Sequence, residues 1–227
     1  MEDTKLHKTG LKSYEKWWTN NLGNNTYMHL GKQFSCPSVE SFETWMGDKD
    51  SPDRIIVGQL LGEFRSILDA GCGACPEYYR IKEIAKDVRY TGVDITEKLV
   101  EYNVSRGINC HLGSLEDLPF DDNSFDVVIS RHVVEHMRDI ELPLREMIRV
   151  AQSRIVISFF IDPLENRTNA HVVKLDDHGT IHEVYHNRYS KALIEVLLLE
   201  SDKVAAYRWV SPMPTPTSSA LVIDIAV

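Results

Sequence analysis

The segment Ile67-Leu68-Asp69-Ala70-Gly71-Cys72-Gly73-Ala74-Cys75-Pro76 constrains the fold more than any other part of the chain. RSILDA (65–70) predicts a buried strand, a glycine turn follows at once, and Pro76 opens a helical pattern over 76–87. Proline suits a first helical turn, where the missing N–H would have had no partner. Gly71 and Gly73 allow a tight turn and let a ligand approach the main chain without a Cβ in the way. The same unit then repeats. VRYTGVD (88–94) predicts a second strand, and TEKLVEYNVSRG a helix with Thr96 as N-cap and Gly107 as its stop. GINCHL is a short third strand, SFDVVIS (124–130) a fourth, ELPLREMIRVAQ (141–152) a helix and RIVISFFI (154–161) a fifth strand. Strands alternating with helices imply parallel βαβ units, a sheet covered by helices on both faces.

Outside this stretch the pattern changes. DRIIVGQLLGEF (53–64) is a helix leading into the first strand, and SKALIEVLLLESD is a helix capped by Ser190. KVAAYRWV and SALVIDIAV are two further strands, joined by SPMPTPTS, whose prolines forbid a helix. Residues 162–189 are polar, rich in histidine and without a clean period, as expected of a long functional connection. Residues 1–52 are aromatic and turn-rich (Tyr14, Trp17, Trp18, Tyr27, Phe34, Phe42, Trp45), an expected cap or lid on a domain spanning 53–227.

Composition narrows the partners. The chain is 43% hydrophobic and 26% charged with a net charge of −9, and no basic stripe marks a nucleic-acid surface. The longest apolar run, near Ile155–Ile161, is too short for a bilayer, and the polar N-terminus has no apolar leader core. Four cysteines (Cys36, Cys72, Cys75, Cys110) do not make a disulfide framework, so a reducing, cytoplasmic setting is expected. Oligomeric state is not legible.

The second strand ends in Gly92-Val93-Asp94, which puts a carboxylate beside the glycine loop, where it can hydrogen-bond ribose hydroxyls. Taken together, the loop, GVD and the run GSLEDLPFDDNSFDVVISRHVVEHM (113–137) resemble class I S-adenosylmethionine-dependent methyltransferases, in particular the type 11 branch acting on small molecules. The resemblance covers roughly residues 55–200 and implies a doubly wound α/β sheet of seven mostly parallel strands in the order 3-2-1-4-5-7-6. It implies that Gly71, Cys72 and Gly73 pass under the methionine part of S-adenosylmethionine and that Asp69 orients its amino group. It further implies that Asp94, with Ile95 beside it, takes the ribose, that Ser114, Leu115 and Glu116 border the adenine, and that Ser130, Arg131 and His132 floor the methyl-transfer site. Two positions depart from the pattern: the family's third glycine is Cys75, and its adenine-side Asp is Ser114, an uncharged acceptor. A dinucleotide enzyme has a similar entrance but needs a glycine three residues after Gly73. That position is Pro76, which also removes an N–H from the phosphate site.

Two motifs compete with this reading. Cys72-Gly73-Ala74-Cys75 is a CxxC at a helix start, as in redox proteins, though two incidental small residues in a glycine loop explain it more simply. His132-Val133-Val134-Glu135-His136 matches the HxxEH of inverted zinc proteases, and on a helix its histidines would share a face. No third ligand accompanies it, so no metal is expected. A zinc hydrolase and a non-catalytic S-adenosylmethionine-binding protein remain the alternatives. In the expected reaction a small-molecule acceptor of unread identity attacks the sulfonium methyl. His132, His182 and His186 are the candidate bases, because histidine titrates near neutral pH. His178, His182 and His186 are spaced by four, but Gly179 and Thr180 argue against a helix there.

Overall fold

The computed structural model describes residues 26–29, 32–35, 39, 49–177, 180–213 and 219–226, with the backbone alone at 26–29, 32–35, 173–177 and 180–184. Trp17, Trp18 and His178 lie outside the described residues. Two short strands, β1 (Thr26–His29) and β2 (Lys32–Ser35), pair antiparallel with Tyr27 opposite Phe34. The central sheet contains β3 (Ser66–Ala70), β4 (Arg89–Asp94), β5 (Cys110–Leu112), β6 (Phe125–Arg131), β7 (Ala151–Phe159), β10 (Val204–Val210) and β11 (Ser219–Ile225). Between β7 and β10 an antiparallel hairpin is formed by β8 (Val172–Asp177) and β9 (Thr180–Tyr185).

The sheet order is β5-β4-β3-β6-β7-β11-β10, parallel except where β11 runs against β7 and β10 against β11. Counting only the sheet strands, this is the expected 3-2-1-4-5-7-6. Among the described residues five helices accompany it: α1 (Pro52–Leu60), α2 (Pro76–Ile84), α3 (Glu97–Ser105), α4 (Glu141–Val150) and α5 (Lys191–Leu199). Burial on both faces explains why the central strands read as continuous apolar runs. Leu68, Val128, Ile155, Ile157 and Leu221 meet Leu144, Met147, Ile194 and Leu198 on one face. Ile67, Val127, Ile129, Val156 and Val222 meet Val57, Leu61 and Ile81 on the other. The strand order reverses between β3, which pairs with β4 on one side, and β6 on the other. The carboxyl ends of those strands therefore border the crevice where such sheets take ligands.

Several element boundaries differ from expectation. The first helix ends at Leu60, not 64, because Gly62 turns left-handed (φ +76°). The helix before β7 stops at Val150, and the strand starts at once with Ala151. The histidine-rich connection carries the β8–β9 hairpin: β-branched runs flank the His178-Gly179 pair, a signal masked by the polar residues between them. Thr96 occupies the N-cap of α3 without a side-chain capping bond. Ser190 caps α5 through its hydroxyl, which accepts from Leu193 N–H at 3.2 Å.

The chain leaving β6 does not form a helix. His132 sits at φ +58°, and Val134–His136 make a single 3-10 turn. Glu135, fully buried, holds this turn in place: its carboxylate accepts from the Phe160 N–H at 2.7 Å, and its carbonyl accepts from the Asn187 N–H at 2.8 Å. Asn187 in turn donates its amide to Met137 O (2.9 Å) and accepts from the His171 N–H (3.0 Å). Tyr189 donates its hydroxyl to the same Met137 carbonyl at 2.6 Å. Three connections at the carboxyl edge are thereby tied together.

Burial pushes the Glu135 carboxyl up to about 8, against the N–H donors that favour its ionised form. Its folded pKa lies above its unfolded one, so this group favours the fold fully at acid pH and progressively less as pH rises towards 8. Glu135→Gln should therefore gain stability relative to the parent as pH rises from 5 to 8, by up to about 1.4 kcal/mol per pH unit. Urea unfolding of both proteins at pH 5, 6.5 and 8 measures this; a difference independent of pH contradicts the buried, protonated carboxyl.

Candidate active site

The loop after β3 packs three left-handed residues into five positions: Gly71 (φ +82°), Gly73 (φ +55°) and Cys75 (φ +54°). Glycine is required at the first for a steric reason too, since a Cβ on Gly71 would lie 2.6 Å from both methyls of Val133. The N–H groups of Gly71 and Cys72 both donate to Val93 O, at 2.8 and 3.0 Å. The Gly73 N–H donates to Asp94 Oδ2 at 2.9 Å, and the Thr96 N–H donates to Asp94 Oδ1 at 2.9 Å. Asp94 thus joins the loop to the start of α3. Burial raises its carboxyl above the usual carboxylate range, opposed by those two donors. Asn103, wholly buried on α3, fixes the loop from the other side by donating to Gly73 O at 2.8 Å.

Ile95 follows Asp94, half-buried. The turn bearing Ser114, Leu115 and Glu116 is brought to the same edge by a Gly113 N–H to Asp94 O bond of 3.0 Å. Within it, Ser114 Oγ accepts from the Glu116 N–H at 3.1 Å, and Leu115 is buried in the core. This groups a buried carboxylate, a left-handed glycine loop and a neighbouring polar turn at one edge of the sheet.

Beneath the loop the expected residues have structural partners. Asp69 is buried and accepts from Tyr90 Oη at 2.6 Å; burial and the neighbouring Glu77 charge raise its pKa. Ser130 Oγ donates to Ala70 O at 3.0 Å. Arg131 donates through Nε to Asp53 at 3.0 Å and lies 3.6 Å from Glu77, while Arg54 donates to Glu77 at 2.8 Å. Its guanidinium is therefore engaged with α1 and α2. Burial would raise Asp53, but the Arg131 guanidinium holds its carboxyl down at about 2.

The histidines gather around Phe160, at the end of β7. Ring centroids lie 5.7 Å away for His132, 5.4 Å for His136 and 6.1 Å for His186, and His136 and His186 are 5.0 Å apart. His132 Nε2 is buried with no hydrogen-bond partner among the described residues. Burial first, and then the Arg131 charge, lower its pKa to about 3, so the imidazole is neutral throughout the physiological range. His136 Nδ1 lies 3.0 Å from Tyr185 O. His182 lies on β9 opposite Leu175, with its side chain outside the described residues.

The helix that the HxxEH reading needs is absent, so His132 and His136 do not share a helical face. Among the described residues, the one group of His, Cys, Asp and Glu close enough to hold an ion is Cys72, Cys75 and Cys110. Reading the first two as incidental omitted Cys110, which is distant in sequence. Tyr90, Phe160 and the Asp53-Arg54-Glu77 set were missed for the same reason.

Residues 68–157 match the family model described as "Methyltransferase domain". The chain is 31% identical over 101 residues to ajmaline N-methyltransferase of Rauvolfia serpentina (41% of this chain, 34% of that protein). It is likewise 31% identical over 102 residues to malonyl-[acyl-carrier protein] O-methyltransferase of Erwinia pyrifoliae (44% of this chain, 38% of that protein). The chain thus spans well under two thirds of the length of these relatives. In structure it is similar to DesVI of Streptomyces venezuelae (TM-score 0.60, 14% identity, 80% of this chain and 94% of that one). It is also similar to YcgJ of Bacillus subtilis (TM-score 0.55, 16% identity, 76% and 97%). Sheet order, glycine loop and the match over residues 68–157 together support a class I methyltransferase fold, a family whose cofactor is S-adenosylmethionine.

Proposed function

We propose that the chain is an S-adenosylmethionine-dependent methyltransferase acting on a small-molecule acceptor. The observation that carries this reading is the Asp94 carboxylate, held beside Gly73 at the mouth of the sheet by two main-chain amides. Each carboxylate oxygen keeps a lone pair for a ribose hydroxyl after accepting its amide bond. In this reading Gly71, Cys72 and Gly73 underlie the amino-acid part, Asp69 and Ser130 shape the floor from below, and Ile95, Ser114, Leu115 and Glu116 line the base. Arg131 serves by anchoring α1 and α2 under the site and by lowering the basicity of His132.

When bound, the cofactor supplies a sulfonium methyl that is already a strong electrophile. The chain's part is then chiefly alignment, an effect of roughly 7–11 kcal/mol when reacting groups are well oriented. His132, neutral and with an uncommitted buried nitrogen, suits a hydrogen bond to an acceptor better than proton removal, since general bases work best with a pKa near the operating pH. That leaves His186, half-buried against His136 and Phe160, and His182 on the hairpin as candidate bases. The acceptor side consists of the β8–β9 connection, with Arg167 on its approach, and the aromatic segment within residues 1–52, read as a cover that excludes water. The two relatives named above methylate nitrogen in one case and oxygen in the other, so the acceptor atom is left open.

Calorimetric titration with S-adenosylmethionine, its demethylated product and NADH tests the cofactor assignment. The first two should bind and NADH should not. Asp94→Ala should weaken binding by about ten- to a hundredfold, the loss of a charged hydrogen bond. Unchanged affinity in that variant means that the cofactor lies elsewhere. His186→Ala should leave cofactor affinity within about threefold while lowering methyl transfer by at least about a hundredfold if it is the base. Full turnover in both His186→Ala and His182→Ala across roughly pH 6–9 leaves positioning as the whole mechanism.

A further inference from the structure

Cys72, Cys75 and Cys110 come from three different elements: the glycine loop, the N-cap of α2 and the first residue of β5. Their sulfurs nevertheless lie within 4.8 Å of one another, with Cys72 and Cys110 in contact at 3.5 Å, and all three are buried. The room they occupy exists because residue 92 on β4 is glycine. A Cβ there would lie 2.8 Å from Cys72 Sγ and 3.2 Å from Cys75 Sγ. The cluster is also supported from outside. Buried Asn103 donates one amide to Gly73 O at 2.8 Å and points it at Cys110 Sγ at 3.6 Å, so that sulfur is oriented as an acceptor. Such an outer hydrogen bond is what orients a metal-bound thiolate.

We infer that Cys72, Cys75 and Cys110 form a binding site for a soft monovalent cation of the Cu+ class. Three sulfurs around one ion at about 2.3 Å would lie about 4 Å apart, within the spacing observed. An all-sulfur donor set selects soft ions and disfavours Mg2+, Ca2+ and Mn2+. Three thiolates with no fourth donor beside them among the described residues suit Cu+ better than Zn2+, which takes four ligands. As each sulfur–metal bond forms, the thiol proton leaves to solvent and no electron is transferred. The ion would tie the glycine loop, the start of α2 and β5 together from below. This site stands independently of what is methylated, and it replaces the expectation from sequence that the chain holds no metal.

The test is anaerobic titration of the reduced full chain with Cu+ against a chromogenic Cu+ chelator, and in parallel with Zn2+ against a zinc indicator. One Cu+ per chain is expected for the parent and for Cys36→Ser. Cys75→Ser and Cys110→Ser should each lose at least about a hundredfold in Cu+ affinity, more than loss of an outer-shell partner brings. Binding equal to the parent in both variants, or lost in Cys36→Ser alone, overturns the site. One-to-one Zn2+ binding in preference to Cu+ overturns the three-coordinate assignment. Should the variants fail to fold, X-ray absorption of the Cu+-loaded parent decides. Three sulfur neighbours at about 2.3 Å support the site, and two or fewer overturn it.

Discussion

The carboxylate of Asp94 is the contact on which the glycine-loop half of the crevice, the proposed cofactor site, depends. It stands at the carboxyl end of β4, one oxygen on the Gly73 amide and the other on the Thr96 amide, and so couples a loop, a strand and a helix start. Hydrogen bonds to a charged acceptor contribute about 1.5–3 kcal/mol each, enough to hold a loop whose glycines would otherwise sample many conformations. The left-handed turn at Gly71, the amides pinned to Val93 and the buried Asn103 all serve the same geometry. They hold it at the point where the order of the sheet reverses, between β3 and β6.

The other half of the crevice is held by a different kind of interaction. Glu135, Asn187 and Tyr189 join the turn after β6 to the ends of β7 and β9 through buried hydrogen bonds, and so fix the positions of His132, His136 and His186 around Phe160. Below both halves, Arg54 and Arg131 face Asp53 and Glu77 in a buried set of charges. Breaking such a pair from one side leaves a buried charge uncompensated, typically a loss of about 3–5 kcal/mol. Rigidity at the floor is thus compatible with a catalytic contribution that rests on alignment.

Much of this was legible from local pattern. The alternation of strands and helices, the glycine loop and the GVD acid lie within short windows, and their physics is local: a Gly φ, a proline at a helix start, a two-residue period. What was not legible depends on contacts between distant positions. The partner of Arg131 is 78 residues away at Asp53, and Tyr90 reaches Asp69 across 21. Cys110 joins Cys72 across 38 residues, so a CxxC pair read alone understated the cluster. The β8–β9 hairpin was missed because Lys174, Asp176, His182 and Glu183 obscure its period, and the HxxEH segment looked helical because its spacing ignores the left-handed His132 that breaks it.

The most direct measurement is a crystal structure of the protein soaked with the demethylated cofactor product. The account predicts ribose hydroxyls within hydrogen-bond distance of the Asp94 carboxylate, and an amino-acid tail lying over Gly71 and Gly73. A ligand bound with its ribose away from Asp94, or with the glycine loop untouched, would contradict it.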